Sequence, residues 1–240
     1  MRNFLISICV FTFFACGAQK WSATTQSILI KNQQSDAEME QLIAPYKEKV
    51  DKEIVVIGKA CTTLYAGKPE SPLSNFAADA LLRAANSRLQ PEADFSIINV
   101  GGLRIPIEQG EITRLNLFEI MPFENELVIL TLRGNDVNTL LQQIADMKGE
   151  GVSGLRMLIE NQRPENVLIN GKEFDANRTY RIATSDFMAC GKDGLTILKE
   201  AVETESTGLK IRELLIDAIE EETRAGSEIC PSLDGRIIIR

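Results

Sequence analysis

The spacing of apolar residues predicts helices and strands in succession from residue 35 onward. Ser35 and Glu38 have the spacing of a capping box, and helical intervals between the apolar residues after them predict a helix to about Asp51. Ser71 followed by Pro72 is typical of a second helix start. The residues after it keep the spacing of an amphipathic helix, with apolar positions at Leu73, Phe76, Ala77, Ala80, Leu81 and Ala84.

Short apolar runs predict the strands. They lie at residues 54–57, 94–99, 127–132, 157–160, 180–183 and 237–239, with further helices at 136–147 and 209–222. On the polar face of the second helix, Asp79 and Arg83 are four residues apart, which predicts a solvated ion pair between them. Helices and strands do not alternate strictly, so the pattern favours the α+β class.

The first residues are typical of a targeting segment. Residues 1–15 carry one cation before an apolar stretch, as in an export signal. Cys16 follows a small residue, as in the lipobox of bacterial lipoproteins, and would become the acylated first residue. An ordinary signal cleaved near Ala18 is the alternative. Both place the mature chain outside the cytoplasm, and the first anchors it by lipid to a bacterial membrane that faces the periplasm or the exterior.

The polar stretch after the leader indicates a tether. Residues 16–35 are rich in Gln, Ser, Thr and Lys, and we expect them to hold the domain, residues 36–240, away from a membrane. Of the later cysteines, Cys61, Cys190 and Cys230, one pair could form a disulfide in an oxidising compartment. The sequence leaves that pairing open.

Composition excludes several kinds of function. The chain has no histidine, which removes histidine triads and the usual transition-metal centres from its own chemistry. Its acidic residues do not have the spacing of a metal-binding loop, so we expect no metal site and no catalytic residue in this chain. A net charge of −8 and the absence of a basic run argue against a nucleic-acid polymer as partner.

Three short segments together carry groups suited to a nucleotide. Asn99 and Arg104 flank two glycines, Phe123 follows a proline, and Phe187 comes six residues before Asp193. Two aromatic rings can hold a planar base, a carboxylate can accept hydrogen bonds from a sugar, and an arginine can bind phosphate. In the alternative interpretation both phenylalanines are core residues, Arg104 lies on the surface and the glycines only make turns.

In this order the motifs resemble the C-terminal domain of the 5'-nucleotidase, UDP-sugar hydrolase and 2',3'-cyclic-nucleotide phosphodiesterase family. Residues 74–80 are similar to its Gly-Asn-Leu-x-x-Asp-Ala helix and residues 99–104 to its Asn-Gly-Gly-Gly-Ile-Arg segment. Residues 122–125 resemble its Pro-Phe-x-Asn turn, and residues 186–194 its Asp-Phe-Leu-x-x-Gly-Gly-Asp-Gly loop. The similarity runs from about Ile43 to the C-terminus and implies a layered α+β domain of helices and sheets.

The resemblance also implies roles for these side chains. Phe123 and Phe187 would stack on the base, Asp193 would bind ribose hydroxyls, and Asn99 and Arg104 would face the phosphate.

A further helix arginine contacts phosphate in the family, and Arg83 or Arg88 would fill that role. The chain departs from the family motif at Val100 and at Lys192, where glycine is usual, and a lysine beside the aspartate could weaken or redirect ribose binding.

Family members carry their catalysis in an N-terminal metallophosphoesterase domain with two metals, whereas this sequence begins at the second domain. We therefore expect the nucleotide-recognition subunit of a split 5'-nucleotidase, which needs no cofactor of its own because a separate metallophosphoesterase chain supplies the two divalent metals. A free-standing nucleoside- or nucleotide-binding lipoprotein without hydrolytic activity is the second hypothesis. A domain that has lost nucleotide binding and only packs against another protein is the third.

Overall fold

The computed structural model describes residues 36–240, and the chain divides by its internal contacts into residues 1–43 and residues 44–240. The helices of the described part are α1 (Ala37–Asp51), α2 (Pro72–Arg88), α3 (Arg114–Ile120), α4 (Gly134–Asp146), α5 (Asp186–Ala189) and α6 (Ile211–Arg224). Its strands are β1 (Val56–Ala60), β2 (Phe95–Ile98), β3 (Gly110–Thr113), β4 (Glu126–Arg133), β5 (Gly151–Ser153), β6 (Leu155–Glu160), β7 (Arg163–Ile169), β8 (Lys172–Glu173), β9 (Thr179–Ser185), β10 (Glu203–Lys210) and β11 (Ile237–Ile239).

A five-stranded sheet with the order β10-β4-β9-β2-β5 forms the centre of the second unit. Successive residues of a strand point to opposite faces, and β4 buries Leu127 and Ile129 in one core and Val128 and Leu130 in the other. Both faces of the sheet are therefore covered, which explains why this strand is an almost continuous apolar run.

Helices and a second sheet make the outer layers. Buried residues of α2, α3 and α6 pack with the first core, together with the antiparallel pair of β1 and β3. The second core is closed by α4 and by a four-stranded sheet with the order β11-β6-β7-β8. The predicted α+β class with layered helices and sheets is confirmed.

The predicted start of α2 and the strand runs correspond closely to observed elements, whereas at the start of α1 the amides of Glu38 and Met39 donate to Asp36, one residue after the predicted cap. Ser71 caps α2 by accepting a hydrogen bond from the Ser74 amide at 3.3 Å, and Pro72 occupies the first turn. The strand predicted at residues 54–57 is shifted, because pairing with β3 begins at Val56 and continues to Ala60. The apolar run located the strand but not its register.

The predicted ion pair within α2 is wrong. Asp79 instead receives two hydrogen bonds of 2.7 Å from the guanidinium of Arg236, near the C-terminus. Arg83 pairs with Glu222 at 3.3 Å, on α6. Both side chains have partners from distant parts of the chain, which the i, i+4 spacing could not indicate.

Hydrogen bonds and a disulfide join the C-terminal segment to residues that precede α2. The carboxylate of Glu70 accepts hydrogen bonds from the backbone amides of residues 234–236, at 2.7 to 3.1 Å. A disulfide joins Cys61 to Cys230 across 169 residues, which answers the pairing that the sequence left open. Cys190 is free and exposed.

The predicted signal peptide, Cys16 and the tether at residues 16–35 lie outside the described residues. Within residues 36–240, no helix combines the length and the apolar character needed to span a bilayer.

Candidate functional site

The three segments singled out in the sequence meet at one end of the five-stranded sheet. Strands β2 and β9 are parallel, so their carboxyl ends lie together. β4 runs antiparallel to β9 and begins at that end, with Leu127 opposite Ser185. β5 also begins there, with Gly151 opposite Ile98. The loops that follow β2 and β9 and the turn that precedes β4 are therefore neighbours.

Asn99 lies at the centre of this end. It precedes the short 3-10 turn at Val100–Gly102 and is only 6% exposed. Its side-chain amide donates to the Asp193 carboxylate at 2.6 Å, across 94 residues of sequence. A Cβ on Gly102 would lie 3.0 Å from the Asn99 side chain, so glycine lets this amide fold over its own turn. The structure thus brings Asn99 and Asp193 together as one polar pair.

Two exposed cations lie beside the pair in sequence. Arg104 has its backbone amide bonded to the Ile120 carbonyl at 2.8 Å, and its guanidinium donates to the Gly101 carbonyl at 3.1 Å. Neither Arg104 nor Lys192 forms an ion pair with another residue of the described part. Because no carboxylate neutralises them there, both remain available to an anionic ligand.

Asp193 is presented by a tight loop after α5. Its φ of +51° lies in the left-handed region, where non-glycine residues are uncommon. Gly194 follows with φ +81°, and a Cβ there would lie 2.7 Å from the Met147 sulfur. The left-handed φ therefore favours glycine next to the exposed Asp193 carboxylate.

The two phenylalanines are surface residues, so the interpretation of both as core residues is wrong. Phe123 is 42% exposed in the turn before β4, and Phe187 is 38% exposed at the start of α5. Asp186 links their segments, since its carboxylate accepts from the Glu126 amide at 3.1 Å and from the Phe187 amide at 2.8 Å. Both rings therefore present apolar surface to solvent at the same end of the sheet.

An ion pair between a buried glutamate and a partly exposed lysine, under the Asn99 turn, was not predicted from the sequence. Glu150, only 4% exposed, accepts a hydrogen bond from the Val100 amide and forms an ion pair with Lys68 at 2.6 Å. No local pattern indicates this pair, because a charged residue between two glycines is equally typical of a turn on the surface. This pair supports the backbone of the turn.

The comparison with known families decides the assignment. A family model described as 5'-nucleotidase, C-terminal domain matches residues 56–200, which is more than half of the chain. The chain belongs to this family. The matched range contains the Asn99 turn, both phenylalanines and Asp193.

Relatives of the family extend well beyond this chain. Protein UshA of Yersinia enterocolitica is 28% identical over 194 residues, which cover 78% of this chain and 35% of that protein. The trifunctional nucleotide phosphoesterase protein YfkN of Bacillus subtilis is 29% identical over 184 residues, covering 70% of this chain and 12% of that protein. The chain therefore spans about a third, or less, of the length of these relatives.

Solved structures agree with the fold. The crystal structure of a 5'-nucleotidase precursor from Thermus thermophilus superposes with a TM-score of 0.70 at 27% identity, covering 83% of this chain and 42% of that one. The NAD nucleotidase NadN of Haemophilus influenzae has a TM-score of 0.65 at 22% identity over 85% of this chain and 41% of that one, which shows the shared fold.

Two of the predicted site residues are not brought to this end of the sheet. Gly151 marks this end of the sheet, and Ser74, near the start of α2, lies against it. Arg83 is nine residues further along α2, which places it about 13 Å away along the helix axis. Arg83 pairs with α6 at Glu222, and Arg88 pairs with Asp217 of α6 at 2.9 Å. The geometry of this member of the 5'-nucleotidase family therefore gives no support to a phosphate contact by either arginine.

The carboxylate and thiol side chains of residues 36–240 are not grouped as a metal centre requires. Among residues 36–240 there is no group of three carboxylate, thiol or imidazole side chains that could hold a metal ion.

Proposed function

We propose that this chain is the nucleotide-recognition subunit of a split, surface-bound 5'-nucleotidase of nucleotide catabolism, and that a separate metallophosphoesterase chain performs the hydrolysis. The observation that carries the proposal is the meeting of two half-exposed phenylalanines with the Asn99–Asp193 pair at one end of the sheet. Membership of the 5'-nucleotidase C-terminal family supports it.

Each part of a nucleotide has a matching group at this end of the sheet. A base placed against Phe123 and Phe187 gains stacking and apolar contact, which is worth about 1–3 kcal/mol per base. The Asp193 carboxylate uses one lone pair on the Asn99 amide and keeps others for ribose hydroxyls. Arg104, which pairs with no carboxylate of residues 36–240, binds the phosphate by charge-assisted hydrogen bonds.

Hydrolysis would come from outside these 240 residues. The sequence contains no histidine, whereas centres that activate water for phosphoester hydrolysis commonly use imidazole ligands with two metals. We therefore assign two divalent metals to the partner chain and none to this one. The partner would have to present them next to Arg104, where the phosphate lies.

Export and lipid anchoring complete the proposal. The disulfide between Cys61 and Cys230 is of the kind that persists in oxidising compartments, which supports a site of action outside the cytoplasm. Metabolic labelling with a palmitate analogue tests the anchor, and Cys16→Ser should abolish the label.

A pull-down of the full-length tagged chain from its native membrane in mild detergent tests the split enzyme. The expected result is one stoichiometric partner rich in histidine, and an eluate that releases phosphate from AMP only when divalent metal is present. A chain that elutes alone, without this activity, would refute the split-enzyme proposal.

The second candidate is the free-standing nucleotide-binding lipoprotein. It is favoured by one observation, that the rings, the carboxylate and the guanidinium all belong to this one chain. It predicts binding of AMP by the isolated protein without a partner, and Phe187→Ala should weaken that binding about 5- to 100-fold. Equal affinity in the variant would exclude it.

A further inference from the structure

The turn that carries Phe123 has no regular secondary structure of its own. It joins α3, which ends at Ile120, to β4, which begins at Glu126. A ring on an irregular turn stacks well on a base only if other contacts fix the turn. A binding group has to be held within about 0.5 Å of its productive position by the residues around it.

The junction of β10 and α6 supplies these contacts. Lys210 lies opposite Glu126, so this junction is at the same end of the sheet. The Ile211 amide donates to the Asn125 carbonyl at 2.9 Å, and the Lys210 ammonium donates to the Glu124 carbonyl at 2.9 Å.

Arg212 makes the largest share of the contacts. Its guanidinium donates to the carbonyls of Met121 at 3.2 Å and Phe123 at 3.3 Å, and it pairs with the Glu124 carboxylate. The side chain is only 5% exposed, and its guanidinium carbon lies 4.0 Å from the centre of the Phe118 ring. One side chain therefore contacts the backbone on both sides of Pro122 and the residue after the ring.

We infer that Arg212 is a positioning residue for base recognition, which holds the Phe123 ring in the place where it stacks on the base. The inference rests on the proposed nucleotide-binding function and extends it to a residue that contacts no ligand. A planar fork of five donors can reach three acceptors at once, whereas a lysine ammonium at the same place is a point charge.

The charge arrangement agrees with a geometric role. The hydrogen bond and the charge of Arg212, followed by the charge of Lys210, hold the pKa of the Glu124 carboxyl below its ordinary value of 4.5. The Glu124 side chain is 66% exposed, and an ion pair with such an exposed carboxylate adds little stability. The arginine therefore contributes a defined conformation of the turn more than stability.

The test compares AMP with ribose 5-phosphate, which has the same sugar phosphate but no base. Binding to the full-length protein is followed by NMR titration, which also detects millimolar affinities. The variants are Arg212→Met, Arg212→Lys and Phe123→Ala, together with Arg212→Met combined with Phe123→Ala. Arg236→Met is the control, because Arg236 is another largely buried arginine that donates to two backbone carbonyls and to carboxylates, here those of Asp79 and Asp234.

We expect Arg212→Met to weaken AMP binding about 3- to 10-fold and to change ribose 5-phosphate binding by less than about twofold. Arg212→Lys should recover part of the loss. In the Phe123→Ala background, Arg212→Met should have no further effect on AMP, because the ring through which it acts is gone. Arg236→Met should leave the preference for AMP unchanged even where it lowers the melting temperature.

The outcomes distinguish a failure of the proposed base recognition from a failure of the positioning role of Arg212. If the wild-type protein binds AMP no better than ribose 5-phosphate, the proposed base recognition fails, and this inference fails with it. A different result overturns only the positioning role. In that case the wild type prefers AMP and Phe123→Ala removes the preference, but both Arg212 variants keep it. Equal losses of both ligands in Arg212→Met and Arg236→Met would show a structural role alone, and would also overturn it.

Discussion

The unequal burial of the two residues in the ion pair under the Asn99 turn predicts how much each substitution there lowers the free energy of unfolding. Lys68 and Glu150 are 2.6 Å apart, and their side chains are 33% and 3% exposed. Removing the lysine leaves a carboxylate in the interior without its charged partner, whereas removing the glutamate leaves an ammonium that still reaches water. The three relevant variants should therefore differ in a definite order.

Lys68→Met should be the most destabilising, at about 3 kcal/mol, because it leaves the buried Glu150 carboxylate without its charged partner; this is the lower end of the range for fully buried pairs, since Lys68 is partly exposed. Glu150→Ala should cost about 2–3 kcal/mol, because the Val100 amide loses its acceptor. Glu150→Gln keeps a neutral acceptor for that amide and should cost about 1–2 kcal/mol. Lys68→Met combined with Glu150→Leu should be about 2 kcal/mol more stable than Lys68→Met alone.

Urea denaturation followed by circular dichroism measures the free energy of unfolding of each variant. Lys59→Met is the control, because Lys59 and Glu228 are also 2.6 Å apart but both exposed, so little change is expected. The reasoning is refuted if Lys68→Met is no less stable than Glu150→Gln, or if the double variant is no more stable than Lys68→Met alone.

Three further predictions concern acid stability, the disulfide and the phosphate. Because Arg212 lowers the pKa of Glu124, the stability that this carboxylate contributes is complete above its ordinary pKa and is lost as the pH falls through the lowered value. Melting temperatures measured from pH 3 to 6 should therefore fall less steeply in Glu124→Gln, and parallel curves would contradict this. Reduction of the bond between Cys61 and Cys230 should cost about 2–5 kcal/mol in urea denaturation, and an unchanged midpoint would show that the link adds nothing. Arg104→Met should weaken AMP and ribose 5-phosphate by the same factor, about 10-fold in titration, and a loss confined to AMP would remove Arg104 from the phosphate.

Local chemistry explains why some elements were predictable from the sequence. The Ser71 cap, the proline after it and the apolar face of α2 are all properties of neighbouring residues, and the helix begins where they predict. The strand β4 is recognisable because both of its faces are buried.

The elements that were missed depend on distant partners. β10 is a largely polar, partly exposed strand, and it is defined by its pairing with β4 about 80 residues earlier. β7 is likewise polar along much of its length and is held by β6. A strand with few apolar residues gives no periodic signal, so its hydrogen-bonding partner determines it.

The residues of the candidate site likewise include some that local motifs indicated and others that only the structure revealed. Asn99, Phe123, Phe187 and Asp193 were named from motifs, and the structure places them at one end of a sheet. Residues that support the site were not named from the sequence, among them the Arg212 side chain, because a buried charge can be interpreted only beside its partners.

The sequence alone determined the class of the fold, the start of α2 and the residue types suited to a base, a ribose and a phosphate, because these follow from local spacing and side-chain chemistry. The tertiary structure decided which of those residues meet. It joined Asn99 to Asp193 across 94 positions, left both phenylalanines half exposed and turned Arg83 toward α6. Such contacts arise from the packing of two cores around one sheet, which brings together residues that no local pattern relates.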